Sequence, residues 1–134
     1  MKLFFDENFS PFLARGFACF QDGRKSENIE VIHVVDQFGK GTKDEVWIPK
    51  IAQMHGAAIT QDYNIHRTRQ LAELCRSHKL GIFFFRPPKK TSLKYWELVS
   101  WVMNSWHGIK QIAVTETPPY VFLVTPKGKS PERL

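Results

Sequence analysis

Cysteine is scarce in this chain: Cys19 and Cys75 are the only two in 134 residues. That excludes a disulfide-stapled secreted fold, and two reduced, buried thiols in a reducing, cytoplasmic compartment are expected instead. Cys75 and His78 have a ligand-like spacing, but no second Cys or His pair completes a zinc tetrahedron. Long apolar runs are missing too. None approaches the roughly 20 residues of a membrane span, and residues 1–5 meet Asp6 and Glu7 at once, so the opening is expected to be neither signal peptide nor anchor. Acidic residues thin out along the chain. Residues 1–78 hold ten Lys/Arg and ten Asp/Glu, whereas residues 79–134 hold nine and three. The whole excess of positive charge therefore lies in the second part, as suits a polyanionic partner, although a charged soluble surface has the same signature.

What is present fits one globular core. An apolar fraction of 43% and a charged fraction of 24% exclude disorder and fibrous classes, and no repeat or linker divides the chain, so residues 1–134 are expected to form a single domain. Residues 1–5 predict a buried strand stopped by Asp6-Glu7-Asn8. Ser10-Pro11 then reads as N-cap and first helical residue, with Phe12, Leu13, Gly16, Phe17 and Phe20 at helical spacing. Residues 29–35 are rich in β-branched residues and predict a second strand. A helix opening at Thr42 or Lys43 would turn Val46, Trp47, Ile51 and Met54 inward, with Pro49 interrupting its pattern. Gly56 serves as its stop, and residues 57–60 form a third strand.

A helix over residues 64–78, a strand over 81–85 and a helix over 91–106 follow. Residues 109–114 and 120–124 read as two further strands around a turn at 115–119. Strands alternating with helices imply an α/β fold, a three-layer α/β/α sandwich on a mainly parallel sheet, with the last two strands as an antiparallel hairpin at its edge.

In such a sheet, ligands bind beyond the carboxyl ends of the strands. Asp6 and Glu7 follow the first predicted strand, Asp36 the second and Asp62 the third, so all four come to one edge. Carboxylates gathered this way repel one another, and a cation usually relieves them. Among their neighbours, Asn8 can orient Asp6, bind a substrate phosphate or merely occupy a turn, and Thr60 can bond to the carboxylates or merely occupy a strand end. Arg67, on the helix after Asp62, and Arg86, Lys89 and Lys90, past the fourth strand, are placed to meet substrate phosphates. Tyr95, Trp96, Trp101 and Trp106 could stack bases, yet helical periodicity favours core or interface for the tryptophans.

The segment Leu3-Phe4-Phe5-Asp6-Glu7-Asn8-Phe9-Ser10-Pro11, the central Asp44-Glu45-x-Trp47-Ile48 and Ile59-Thr60-Gln61-Asp62-Tyr63-Asn64 occur in the order and approximate spacing of the PIN-like nucleases. The resemblance covers about residues 1–86 and is strongest to the small group that includes toxin components of bacterial toxin–antitoxin pairs. It implies a metal-dependent ribonuclease holding magnesium or manganese through Asp6, through Asp44 or Glu45 at the start of the second helix, and through Asp62. Asn64 stands where relatives often carry a further Asp; its amide can still accept from a metal-bound water and contact substrate but brings no charge. An RNA substrate, a cognate antitoxin protein, a homodimeric state and no membrane contact complete the expectation. Two alternatives remain open: a PIN-like module that binds but has lost catalysis, and a receiver-like signalling domain, whose expected lysine after a fifth strand is missing here.

The basic second part generates a prediction. If Arg86, Lys89 and Lys90 hold the backbone of single-stranded RNA, changing all three to Ala flattens the dependence of affinity on salt by counterion release. Binding isotherms across a salt series measure this, and an unchanged slope places the RNA surface elsewhere.

Overall fold

The computed structural model describes residues 1–61, 65–88, 93–126 and 130–134. Strands β1 (Lys2–Phe5), β2 (Glu30–His33), β3 (Gly56–Gln61), β4 (Gly81–Phe85), β5 (Tyr120–Val124) and β6 (Glu132–Arg133) form one sheet in the order β2-β1-β3-β4-β5-β6. The first four pairings are parallel, and β6 runs antiparallel to β5. Because side chains alternate across a strand, Leu3, Phe5, Ala57, Ile59, Phe83 and Phe85 face one core, and Phe4, Ala58, Ile82 and Phe84 face another. Burial on both faces explains why these strands read as continuous apolar runs.

Helices α1 (Pro11–Asp22) and α5 (Tyr95–Thr115) cover the first core, while α3 (Asp44–Gln53) and α4 (Ile65–Ser77) cover the second. A five-residue helix, α2 (Val34–Phe38), follows β2 directly. Ser10 caps α1, accepting from the Phe12 N–H at 3.1 Å, with Pro11 behind it, as the Ser-Pro signal predicts. Helix α4 ends on a Schellman turn: Lys79 takes a left-handed φ of 56°, and the Leu80 N–H reaches back to the Cys75 carbonyl at 2.8 Å. Chain direction and face give the connections through α1, α3 and α4 one hand and the β4–α5–β5 connection the opposite hand, a rare arrangement. Its consequence is balance, two long helices on each face of the sheet.

Several expectations are corrected. The run 109–114 is the C-terminal part of α5 and not a strand; Leu98, Trp101, Val102, Ser105, Trp106, Ile109 and Ala113 are buried at one continuous helical period, and that period overrides the β-branched composition. The antiparallel edge pair consequently joins β5 to β6, while β5 itself lies parallel to β4. Val34 and Val35 leave the second strand for α2. Gly56 opens β3 and does not stop α3: His55 takes the left-handed φ of 58°, and a Cβ at Gly56 would lie 2.9 Å from Ile51 Cγ2.

Pro49 sits inside α3. It removes the N–H that would reach the Glu45 carbonyl, and the burial of Trp47, Ile48 and Ile51 around it outweighs that loss. Phe12, Phe20 and Val46 are exposed rather than core. Cys75 is buried as expected, but Cys19 is exposed on α1. No described helix is long and apolar enough to cross a membrane.

The close packing of Tyr120 on Gly81 yields a prediction. A Cβ on Gly81 would stand 2.0 Å from Tyr120 Cζ and 2.4 Å from both Cε atoms, and this ring is rigid and buried. Gly81→Ala is therefore expected to lower stability by about 1–3 kcal/mol through overpacking, read as a lower urea midpoint. An unchanged midpoint would show that the ring swings away freely.

Candidate functional site

Register places the first acid. Phe5 pairs with Ile59, so Asp6, one residue on, comes level with Thr60, and alternation turns both toward the α3/α4 side. The Asp6 N–H extends the ladder to the Ile59 carbonyl at 3.0 Å. Its side chain is only 2% exposed: Oδ1 accepts from the Asn8 N–H at 3.0 Å, and Oδ2 accepts from the Thr60 hydroxyl. Gln61 Nε2 donates to the Asn8 carbonyl at 2.6 Å, holding the turn from the neighbouring strand.

Across from Asp6, α3 and α4 present the next pair. Asp44 begins α3, where a carboxylate suits the helix dipole. Its Oδ1 accepts from Trp47 Nε1 at 3.1 Å and its Oδ2 from Arg67 Nη2 at 3.3 Å. Asp44, Glu45, Arg67, Gln70, Leu71 and Leu74 line a cavity of about 280 Å³. Glu45 is exposed, whereas Asp44 is half-buried and held by two donors, so the structure separates two neighbours that the sequence left equivalent.

Residues 1–87 match the model of the PIN-like domain. The chain belongs to the PIN-like domain family. Its members are usually nucleases and generally use divalent metal ions. No curated protein and no solved structure gives a significant match. The matched segment ends just past β4, so α5, β5 and β6 lie beyond it.

Electrostatics tie the acids of this PIN-like domain together. Burial pushes the Asp6 carboxyl up to about 7, against the hydrogen bonds from Thr60 and Asn8 and the charge of Arg67, while Asp44 adds to the rise. Burial also raises the Asp44 carboxyl; Arg67 and Trp47 oppose it, and Glu45 and Glu7 reinforce it. Carboxylate oxygens suit a hard divalent ion, and each Asp6 oxygen keeps a second lone pair beyond its protein donor. Among the described residues, however, no three His, Cys, Asp or Glu side chains converge closely enough to hold a metal. Asp62 and Asn64, expected at this edge, lie outside the described residues, as do Lys89 and Lys90.

Other candidates take different places. Asp36 belongs to α2 and accepts from Arg15 Nε at 3.0 Å and Nη2 at 2.7 Å, an exposed pairing that pins α2 to α1. Glu7 is exposed, and its Oε1 accepts from the Gly41 N–H at 2.8 Å, closing one loop over another. Arg86 is exposed past β4, its backbone N–H bonded to the Val124 carbonyl at 3.1 Å.

The sequence reading missed His33, which is 1% exposed. Its Nδ1 accepts from the Val35 N–H at 3.0 Å, so Nε2 carries the proton and donates to the Phe9 carbonyl at 2.8 Å. It thereby ties β2 to the Asp6 turn. A polar residue closing a β-branched run was the one available signal. Gln61 was missed for a similar reason, since its partner is far away in sequence.

The raised Asp6 carboxyl predicts how stability depends on pH. The folded protein retains a proton that the unfolded chain releases near 3.8, so this contribution is fully present below 3.8 and is lost as pH rises through about 7. Asp6→Asn has no such proton. The stability of wild type minus that of Asp6→Asn, from denaturant titrations without metal, should fall steadily between pH 4 and 8. A flat difference would mean that Asp6 is ionised and solvated.

Proposed function

We propose that this PIN-like domain is a metal-dependent ribonuclease acting on single-stranded RNA in the cytoplasm, as the toxin of a toxin–antitoxin pair. The observation that carries the reading is the nearly fully buried Asp6 carboxyl, electrostatically coupled to Asp44 at the carboxyl edge of a parallel sheet, in a family that is usually nucleolytic. Asp6 and Asp44, together with Asp62, would hold magnesium or manganese. When bound, such an ion supplies Lewis acidity toward a phosphodiester and a water molecule.

The chain's own residues do the rest. Thr60 and the Asn8 N–H fix the Asp6 rotamer, and Trp47 fixes Asp44, so both carboxylates are oriented before a ligand arrives. Arg67 contacts Asp44 at the mouth of the site, where an incoming phosphate competes with Asp44 for the guanidinium. Arg86, Lys89 and Lys90 serve the flanking backbone. An antitoxin would work by covering this edge, and self-association into a homodimer fits the same role. Asn64 favours a second reading, a PIN-like module that binds RNA without cutting it, because the neutral amide lowers the charge available for a metal.

Manganese-dependent cleavage of a labelled RNA tests the assignment. Asp6→Asn and Asp44→Asn should each slow cutting by roughly 100-fold or more, and the double variant should lose little beyond either single change, as for groups that act as a unit. Millimolar metal should raise the melting temperature of wild type but not of Asp6→Asn. A folded Asp6→Asn protein that cuts at the wild-type rate refutes the nuclease assignment; metal binding and RNA binding without cleavage support the second reading.

A further inference from the structure

The chain has four tryptophans, and three of them are core: Trp47, Trp101 and Trp106 are 2%, 5% and 7% exposed. Trp96 is 76% exposed. An indole left in water forgoes a large hydrophobic gain, and helical periodicity explains it only as the outward position on α5. Its location is more telling. Helix α5 enters from the carboxyl end of β4, so its N-terminus stands at the Asp6 edge of the sheet. Trp101 packs against Phe85, the last residue of β4, with ring centroids 4.9 Å apart. Trp96 lies five residues earlier on the helix, roughly 7–8 Å farther along its axis toward the carboxyl end of the sheet, on the outward face of α5. Two strand spacings, roughly 10 Å, separate β4 from β1.

The surroundings of Trp96 suit one kind of occupant. Tyr95 meets it edge-on, with centroids 5.1 Å apart and planes at 86°, which braces the indole from one side. Lys94, the residue before the helix, and Arg86, the residue after β4, are exposed cations on the same edge. Glu97 is the acid nearest in sequence, and its carboxylate accepts the Lys94 N–H at 3.1 Å, which turns it back on the helix end. An exposed aromatic face flanked by cations is how sequence-tolerant sites bind single-stranded nucleic acid, each base offering a π-face to the ring while its phosphate meets a positive charge.

We infer that Trp96, braced by Tyr95, is a base-stacking platform that positions single-stranded RNA across the acidic edge and discriminates against duplex, whose bases are already stacked on one another. The inference rests on the ribonuclease reading for the identity of the polymer. Trp96 touches the substrate away from the reacting phosphate and is a positioning residue.

The test is binding of a fluorophore-labelled single-stranded RNA in excess chelator, so that no cleavage occurs, with wild type, Trp96→Ala and Trp96→Phe. Trp96→Ala should weaken binding on the order of tenfold, the scale of one stacked base, with the salt slope unchanged because no phosphate contact is lost. Trp96→Phe should keep most of the affinity while abolishing the quenching of intrinsic tryptophan emission that RNA causes in wild type. An abasic strand of equal charge should bind wild type no better than the normal strand binds Trp96→Ala, and duplex RNA should bind weakly to all three. Equal wild-type affinity for abasic and normal strands overturns the platform. So does unchanged affinity in Trp96→Ala, or concentration-dependent burial of Trp96 without RNA, which would make this face a protein contact. The nuclease reading fails separately: a protein that shows the stacking pattern but never cuts with manganese loses that reading and keeps this one.

Discussion

A carboxyl group removed from water at the end of β1, next to the middle of the sheet, is costly to ionise, and the edge around it is organised by that cost. Asp6 is buried because β1 is flanked by β2 and β3 and covered on both faces. The Thr60 hydroxyl and the Asn8 N–H recover part of the lost hydration, yet burial still dominates. Residues farther off serve the same turn: Gln61 holds the Asn8 carbonyl and His33 the Phe9 carbonyl. The turn after β1, β3 and β2 are thus tied to one another around this carboxyl.

The two cores impose the polarity of this edge. Alternation along β1 and β3 sends Asp6 and Thr60 to the α3/α4 side, where Asp44 and Arg67 wait at the starts of their helices. The other side carries α1 and α5, packed through Phe5, Phe17, Phe85, Trp101 and Trp106. The reversed hand of the β4–α5–β5 connection puts α5 on the face opposite Asp44 and Arg67, with its start, Lys94, Tyr95 and Trp96, toward the carboxyl edge of the sheet.

Charge pairs elsewhere act as struts. Arg15 with Asp36 joins α1 to α2, and Lys110 with Glu27 at 2.6 Å joins α5 to the short helical turn before β2. Gln21, itself 4% exposed, donates to that same Glu27 and accepts from Trp106 Nε1, so the polar groups along this seam are satisfied. These pairs are partly exposed and contribute modestly to stability. Their effect is positional, since they hold α1 and α5 in register over the sheet whose edge carries the site.

Local pattern by itself determined much of this protein. Unbroken apolar runs announced buried parallel strands and Ser10-Pro11 announced a helix start, because each signal acts between neighbours in sequence. The Asp6 motif carried the family for the same reason. Tertiary structure decided the remainder. The segment 109–114 is β-branched in composition, and only a continuous buried face on α5 made it helical. Asp44 and Glu45 are equivalent as letters and become distinct when Trp47 and Arg67 close on one of them. Asp36, an acid after a strand like Asp6, was taken by Arg15 from 21 residues away. Trp96, Trp101 and Trp106 share one helix, and two of the three are buried by packing against the sheet while the third lies on the helix face turned away from it. Each of these outcomes depends on a contact between distant segments, and such contacts exist only once the chain has closed on itself.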